Sequence, residues 1–158
     1  MKNLLLLFLF LQGATVSAQV AFKHQKLALL NDVFYNTTKN NIASYMKDKG
    51  FEKLGDEQVD DGEIKEIHTF NSKNDFVNVY YTKENKVFSV NCIYNGAPNN
   101  TFIEMELKDK GYSAKNVQQE IEGEKIEKNV WSKGGGKLKF ITFSNAEEKM
   151  GAVSYGVY

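Results

Sequence analysis

The stretch Met46-Lys47-Asp48-Lys49-Gly50-Phe51 returns 61 residues later as Leu107-Lys108-Asp109-Lys110-Gly111-Tyr112. A phrase repeated at that distance marks a small unit used twice. A unit of about 60 residues buries too little surface to be robust alone, so the two copies are expected to share one core. The echo also predicts local structure. Lysines suit the last turn of a helix, where they meet the negative end of its dipole. A glycine just beyond can adopt φ > 0 and close the helix. Each copy is therefore expected to contain a helix that stops at Gly50 or Gly111.

The chain on either side extends the repeat. Phe22, Leu27, Leu30, Val33 and Phe34 follow the three-to-four spacing of an amphipathic helix. Asn36-Thr37-Thr38 interrupts it, and Ile42, Tyr45 and Met46 mark the face of a second helix. Three strands should follow, over 64–70, 76–82 and 87–94, with a short edge piece near 51–54. In the second of these, Val77, Val79 and Tyr81 point one way and Phe76, Asn78 and Tyr80 the other. Asn95-Gly96-Ala97-Pro98 breaks the pattern and places the boundary between copies. The order then recurs. Thr101 and Glu104 read as a capping box, and strands are expected over 126–131, 138–143 and 150–158. Val77 and Val79 match Leu138 and Phe140 at the spacing of 61, and two extra residues are assigned to the loop 144–149.

This order predicts an α+β fold, a helix plus a three- to four-stranded antiparallel meander used twice. The two meanders should join into one six- to eight-stranded sheet with helices on one face and the other face open. The expected organisation is a leader over 1–18, a first repeat with an extra N-terminal helix over 19–95, and a second repeat over 96–158.

The leader is read from Lys2, the apolar run Leu4–Leu11 and the small-x-small site Val16-Ser17-Ala18. That run falls short of the about 20 residues needed to span a bilayer, and no other window is apolar enough. The predicted location is periplasmic or secreted. Cys92 is the only cysteine, so no disulfide forms within the chain. Eleven Phe, eight Tyr and one Trp supply a core instead. The 20 basic and 20 acidic residues balance, and every basic one is Lys. Interleaved charge without Arg is a solvated surface, which argues against nucleic acid as a partner. Abundant Lys and Asn without Arg also fit an AT-rich bacterial genome.

A tandem helix-plus-meander order, in a small exported chain, resembles the β-lactamase inhibitory protein architecture and the PepSY-like modules of exported bacterial proteins. The resemblance covers roughly 36–158 as an order of elements, and its motif is the Lys-Asp-Lys-Gly-aromatic helix end. It implies a fold and an inhibitor-like role, with no functional residue to carry over.

Few constellations suggest chemistry. Cys92 and His68 could form a nucleophile and base if their strands are neighbours. His24 and His68 alone fall short of a zinc site unless carboxylates complete it. Asp56, Glu57, Asp60, Asp61 and Glu63 are rich in calcium-type oxygens without the spacing of a calcium loop. Asp61-Gly62-Glu63 recurs as Glu122-Gly123-Glu124, which favours a turn. Gly134-Gly135-Gly136 is followed by no helix and by no Gly-Lys-Ser or Gly-Lys-Thr, so it lacks the mechanism of a phosphate loop and reads as a hairpin tip. The expected function is therefore non-enzymatic binding, without metal or cofactor, of a protein partner on the open face and hairpin tips. Phe70, Tyr80, Tyr81, Trp131 and Tyr155 are the aromatic candidates for that contact. The alternatives are a small molecule or glycan in a cleft between the copies, and a Cys92-dependent hydrolase.

Overall fold

The lysine-glycine phrase ends two helices in the same way. In the computed structural model, which describes residues 20–96, 99–121 and 124–158, Gly50 and Gly111 have φ of +84° and +82°. Phe51 N–H donates to Met46 C=O at 2.9 Å and Gly50 N–H to Lys47 C=O at 3.0 Å. Tyr112 and Gly111 repeat both bonds onto Leu107 and Lys108. This pairing satisfies carbonyls that a helix end leaves open, and it needs a left-handed residue where only Gly is unstrained. The expected leader, 1–18, lies outside the described residues.

The elements run α1 (Gln25–Asn36), α2 (Ile42–Asp48), β1 (Glu52–Asp61), β2 (Ile64–Asn71), β3 (Asp75–Thr82) and β4 (Val87–Asn95). Then come α3 (Asn99–Asp109), β5 (Ser113–Ile121), β6 (Glu124–Ser132), β7 (Leu138–Asn145) and β8 (Met150–Val157). The fold is α+β, with one eight-stranded antiparallel sheet in the order β1-β2-β3-β4-β8-β7-β6-β5. One helix-facing layer of strand side chains, including Phe70, Val77, Val79, Val90, Phe140 and Val153, forms a single buried cluster. Leu27, Leu30, Val33, Ile42, Met46, Ile103 and Leu107 complete that cluster from the helices. The core is thus shared by both copies. No helix among the described residues is long and apolar enough to cross a membrane.

The two meanders meet where β4 pairs with β8. Val90 pairs with Tyr155, Asn91 with Ser154 and Cys92 with Val153. Taking 90 and 153 as counterparts, Asn91 faces its own counterpart, Ser154, and the residues on either side exchange partners. That is the pattern of a two-fold axis through the Asn91–Ser154 pair. Ser154 Oγ lies 3.1 Å from Asn91 Oδ1 and donates to it.

The extra residues of the second copy lie elsewhere than expected. The turns at 83–86 and 146–149 are equal in length, whereas the β6–β7 loop at 133–137 is two residues longer than the β2–β3 loop at 72–74. The insertion is therefore the glycine-rich tip around Gly134 and Gly135. Counterparts sit 61 residues apart up to β6 and 63 apart from β7 onward, so Val77 and Val79 correspond to Phe140 and Thr142.

The helix α1 has no twin. It lies across β4 and β8, over the seam itself. Its Phe34 ring packs on Tyr155 with centroids 5.0 Å apart, and the Tyr35 and Tyr155 hydroxyls are 2.8 Å apart. His24 Nδ1 accepts from Lys26 N–H at the start of α1, and the Glu106 carboxylate of α3 receives the N–H groups of Lys23 and His24 at 2.6 and 2.7 Å. The extra helix thus bolts the two copies together.

Two sequence expectations fail for local reasons. Thr101 lies inside α3, and Glu104 reaches the strands instead of capping the helix: it accepts from Asn129 Nδ2 at 3.0 Å and from Thr142 Oγ1. The outer strands β1 and β5 are also far longer than the short edge piece expected. Almost all of β1 is exposed and its sequence is charged, with register shifts after Lys53 and after Gln58. Charge and bulges are the usual protection of a free sheet edge against further pairing.

Candidate functional site

All three helices cover one face, so period-two alternation leaves the other face of the central strands uncovered. The pairing registers lay out that surface in rows. One row runs Phe76, Ile93, Ala152, Phe143 across β3, β4, β8 and β7. The next runs Asn78, Asn91, Ser154, Ile141, and the third Tyr80, Ser89, Gly156, Lys139. Charged residues are 25% of the chain, yet Lys139 is the single charge in these three rows. Charge returns toward the sheet edges, at Glu52 and Glu57 on β1, Lys115 on β5 and Lys128 on β6. Depletion of charge at the centre, with aromatic and amide side chains inside a charged rim, distinguishes an interface core from ordinary solvated surface. Phe76 is 49% exposed at one end of the strip, and Tyr158 is 45% exposed just past β8.

Of the five aromatic candidates, Tyr80 alone lies on this face. Phe70, Tyr81, Trp131 and Tyr155 point at the helices and are buried, which corrects their expected place on the open side. Tyr80 and Tyr81 are chain neighbours in one strand and must point oppositely. Trp131 Nε1–H donates to Thr142 Oγ1 at 3.0 Å, and Tyr155 stacks on Phe140 with centroids 4.3 Å apart. These rings contribute packing rather than contact surface. The open-face residues Asn78, Asn91, Ile93, Ile141, Phe143 and Ser154 were passed over. Their signal was strand parity: each sits at the opposite phase to a buried neighbour.

Cys92 and His68 do not meet. The strand β3 lies between β2 and β4, and Cys92 pairs with Val77 whereas His68 pairs with Val79. Two strand spacings and a two-residue offset along the strand put their Cα atoms about 12 Å apart, beyond hydrogen-bond reach. Burial pushes the Cys92 thiol up to about 12, with Lys26 opposing the shift and Asp75 adding to it. A thiol held protonated is a poor nucleophile. Where the copies meet, α1 packs across β4 and β8. A cleft of about 470 Å³ does lie within the first copy, lined by Lys26, Leu29, Asp32, Lys49, Phe51 and Asp75, where Lys26 and Asp75 pair at 2.7 Å.

The acidic stretch is dispersed along β1 and its turn. Asp60 pairs with Lys65 and Asp56 with Lys53, while Gly62, at φ +57°, makes the turn into β2. The matching turn at 122–123 lies outside the described residues. His68 lies beneath the helices with Glu66 and Asp56, away from the open face. Family models, curated proteins and solved structures were all compared with the chain, and none matches it.

Proposed function

We propose that this chain is an exported, non-enzymatic binding module that seats a protein partner on the uncovered face of its sheet. The charge-depleted strip across β3, β4, β8 and β7 carries the reading. A purely solvated sheet face would carry the Lys and Glu abundant elsewhere in the chain. The partner reads the two-fold seam around Asn91 and Ser154, where amides and hydroxyls offer directional bonds between the apolar row and Tyr80. The hairpin tips at 72–74 and 133–137 lie at opposite ends of that surface, next to Phe76 and Lys139, and the longer glycine-rich tip makes the two ends unequal. The resemblance to inhibitor-like tandem modules points the same way, to occlusion of a partner's surface.

The test uses a partner retrieved from the native envelope with the wild-type protein and identified by mass spectrometry. Its affinity is then measured for Asn78→Lys/Ile141→Lys and for Phe102→Lys, which lies on the exposed side of α3. The double variant places unpaired charges at the centre and is expected to weaken binding at least about tenfold, while Phe102→Lys binds normally. Unchanged affinity in a folded double variant, or loss with Phe102→Lys alone, overturns the reading.

A further inference from the structure

We propose that Asp56, Glu66 and His68 form a binding site for a divalent first-row transition metal ion, with zinc as the matching probe. Asp56 and His68 are direct cross-strand partners on β1 and β2, and Glu66 is two residues from His68 on the same helix-facing side. One ligand atom from each lies within 4.8 Å of the other two. His68 Nε2 is 2.7 Å from Glu66 Oε1 and 3.4 Å from Asp56 Oδ1. One imidazole with two carboxylates suits zinc, which accepts three such protein ligands and leaves a fourth position open. An imidazole ligand disfavours calcium and magnesium, and no thiolate lies near to favour soft ions.

Two buried polar atoms beside the cluster have no hydrogen-bond partner among the described residues, His68 Nδ1 and Tyr81 Oη. Tyr81 is fully buried, and its ring centroid is 4.8 Å from that of His68. Burial raises the Tyr81 phenol pKa, and the charges of Glu66 and Asp56 raise it further, so this hydroxyl lies in the field of both carboxylates. A buried hydroxyl without a partner costs about 1–3 kcal/mol. A water on the metal's open position gives it a donor to accept from.

The second copy supplies an internal comparison. At the spacing of 61, His68 becomes Asn129 and Glu66 becomes Glu127, and the cross-strand partner of Asn129 is Asn116. There Glu104 descends from α3 to Asn129 and Thr142, and Thr142 also takes the Trp131 N–H. The counterpart of Glu104 in α2 is Ala43, which offers no polar group. The first copy has the imidazole and lacks the helix carboxylate that saturates the second.

Charge at the site is already held by cations. Lys39 pairs with Glu66, and Lys53 pairs with Asp56 at 2.7 Å. Burial raises the Glu66 pKa, but hydrogen bonds from Lys39, His68 and Gln58 outweigh it and bring the carboxyl down to about 2. About a third of each lysine side chain is exposed, so the tails can swing out as the metal replaces their charge. Asp56 is itself exposed and gives the ion a way in.

The test is calorimetric titration of tag-free, chelator-treated protein with Zn²⁺, backed by the visible ligand-field bands of Co²⁺. One ion should bind per chain. His68→Asn installs the residue the second copy uses at this place, and it is expected to weaken binding at least about tenfold. His24→Asn, which removes the other histidine, should bind as the wild type does. Asp56→Asn, at an exposed position, serves if His68→Asn fails to fold, and is expected to weaken binding likewise. Absence of saturable binding, wild-type affinity in a folded His68→Asn or Asp56→Asn protein, or loss of binding in His24→Asn overturns the proposal.

Discussion

Gly156→Val is expected to lower stability by about 3 kcal/mol or more, because it drives a side chain into backbone at the seam. A Cβ at this position would lie 2.6 Å from both Phe88 O and Ser89 Cα. Those atoms belong to β4, which Gly156 faces directly across the pairing with Ser89. The glycine's own φ lies outside the left-handed region, so the penalty is steric rather than conformational. The far end of a flexible chain could give way, but a paired strand cannot without opening the β4–β8 ladder. Gly151 is a milder case, since a Cβ there meets the Tyr94 ring at 2.5 Å. Gly55→Ala is the control: nothing lies within 4 Å of its Cβ and its φ is ordinary. It should fall within about 0.5 kcal/mol of wild type. Thermal unfolding checks both, and a 3 kcal/mol loss lowers Tm by about 10 °C in a chain of this size.

Phe140→Ala should cost about 3–5 kcal/mol, the usual range for a fully buried aromatic truncated to alanine. Phe140 has no exposed surface. Its ring meets Phe22 at 5.4 Å and Tyr112 at 5.3 Å edge-on, and stacks on Tyr155. Tyr155 in turn carries Phe34 and Tyr35 of α1. The truncation therefore opens a cavity where the segment before α1, the end of α3 and the second half of the sheet converge. Collapse into that space is limited because Phe22, Tyr112 and Tyr155 around it are stiff aromatic rings. Chemical denaturation with an unchanged m-value would show a loss of stability rather than of compactness. A loss below about 1 kcal/mol would mean that the shared core is not continuous at this point.

Much of the architecture was legible because its signals are local. The glycines after Lys49 and Lys110 can hardly do anything other than end helices. The inner strands alternate, and the phase of 77, 79 and 81 against 76, 78 and 80 already separated core from open face. The outer strands were not legible, since β1 and β5 lie at the free sheet edges and have little of the buried face that creates alternation. The two-residue insertion was misplaced because a shift of two preserves every facing direction. The lengths of the connecting turns, equal at 83–86 and 146–149 but unequal at 72–74 and 133–137, reveal where it lies. The contact candidates failed for a different reason. Aromatic content is a poor guide to this surface, because Phe70, Tyr81, Trp131 and Tyr155 are what a disulfide-free core requires. The more telling property of the open face is the absence of charge, and that becomes visible only once strand order groups Asn78, Asn91, Ser154 and Ile141 together. His68 was seen as a lone histidine because Asp56 and Glu66 join it through pairing and parity rather than through a motif.

The most direct test of the open face as the working surface is a photo-crosslinking scan in the native host cell. A photoreactive phenylalanine is placed in turn at Phe76, Tyr80 and Phe143 on the uncovered face, and at Tyr35 and Phe102 on the helix side. The account predicts one discrete crosslinked protein from the three sheet positions and none from the two helix positions. Crosslinks confined to Tyr35 and Phe102, or an uncovered face that crosslinks to nothing, would contradict it.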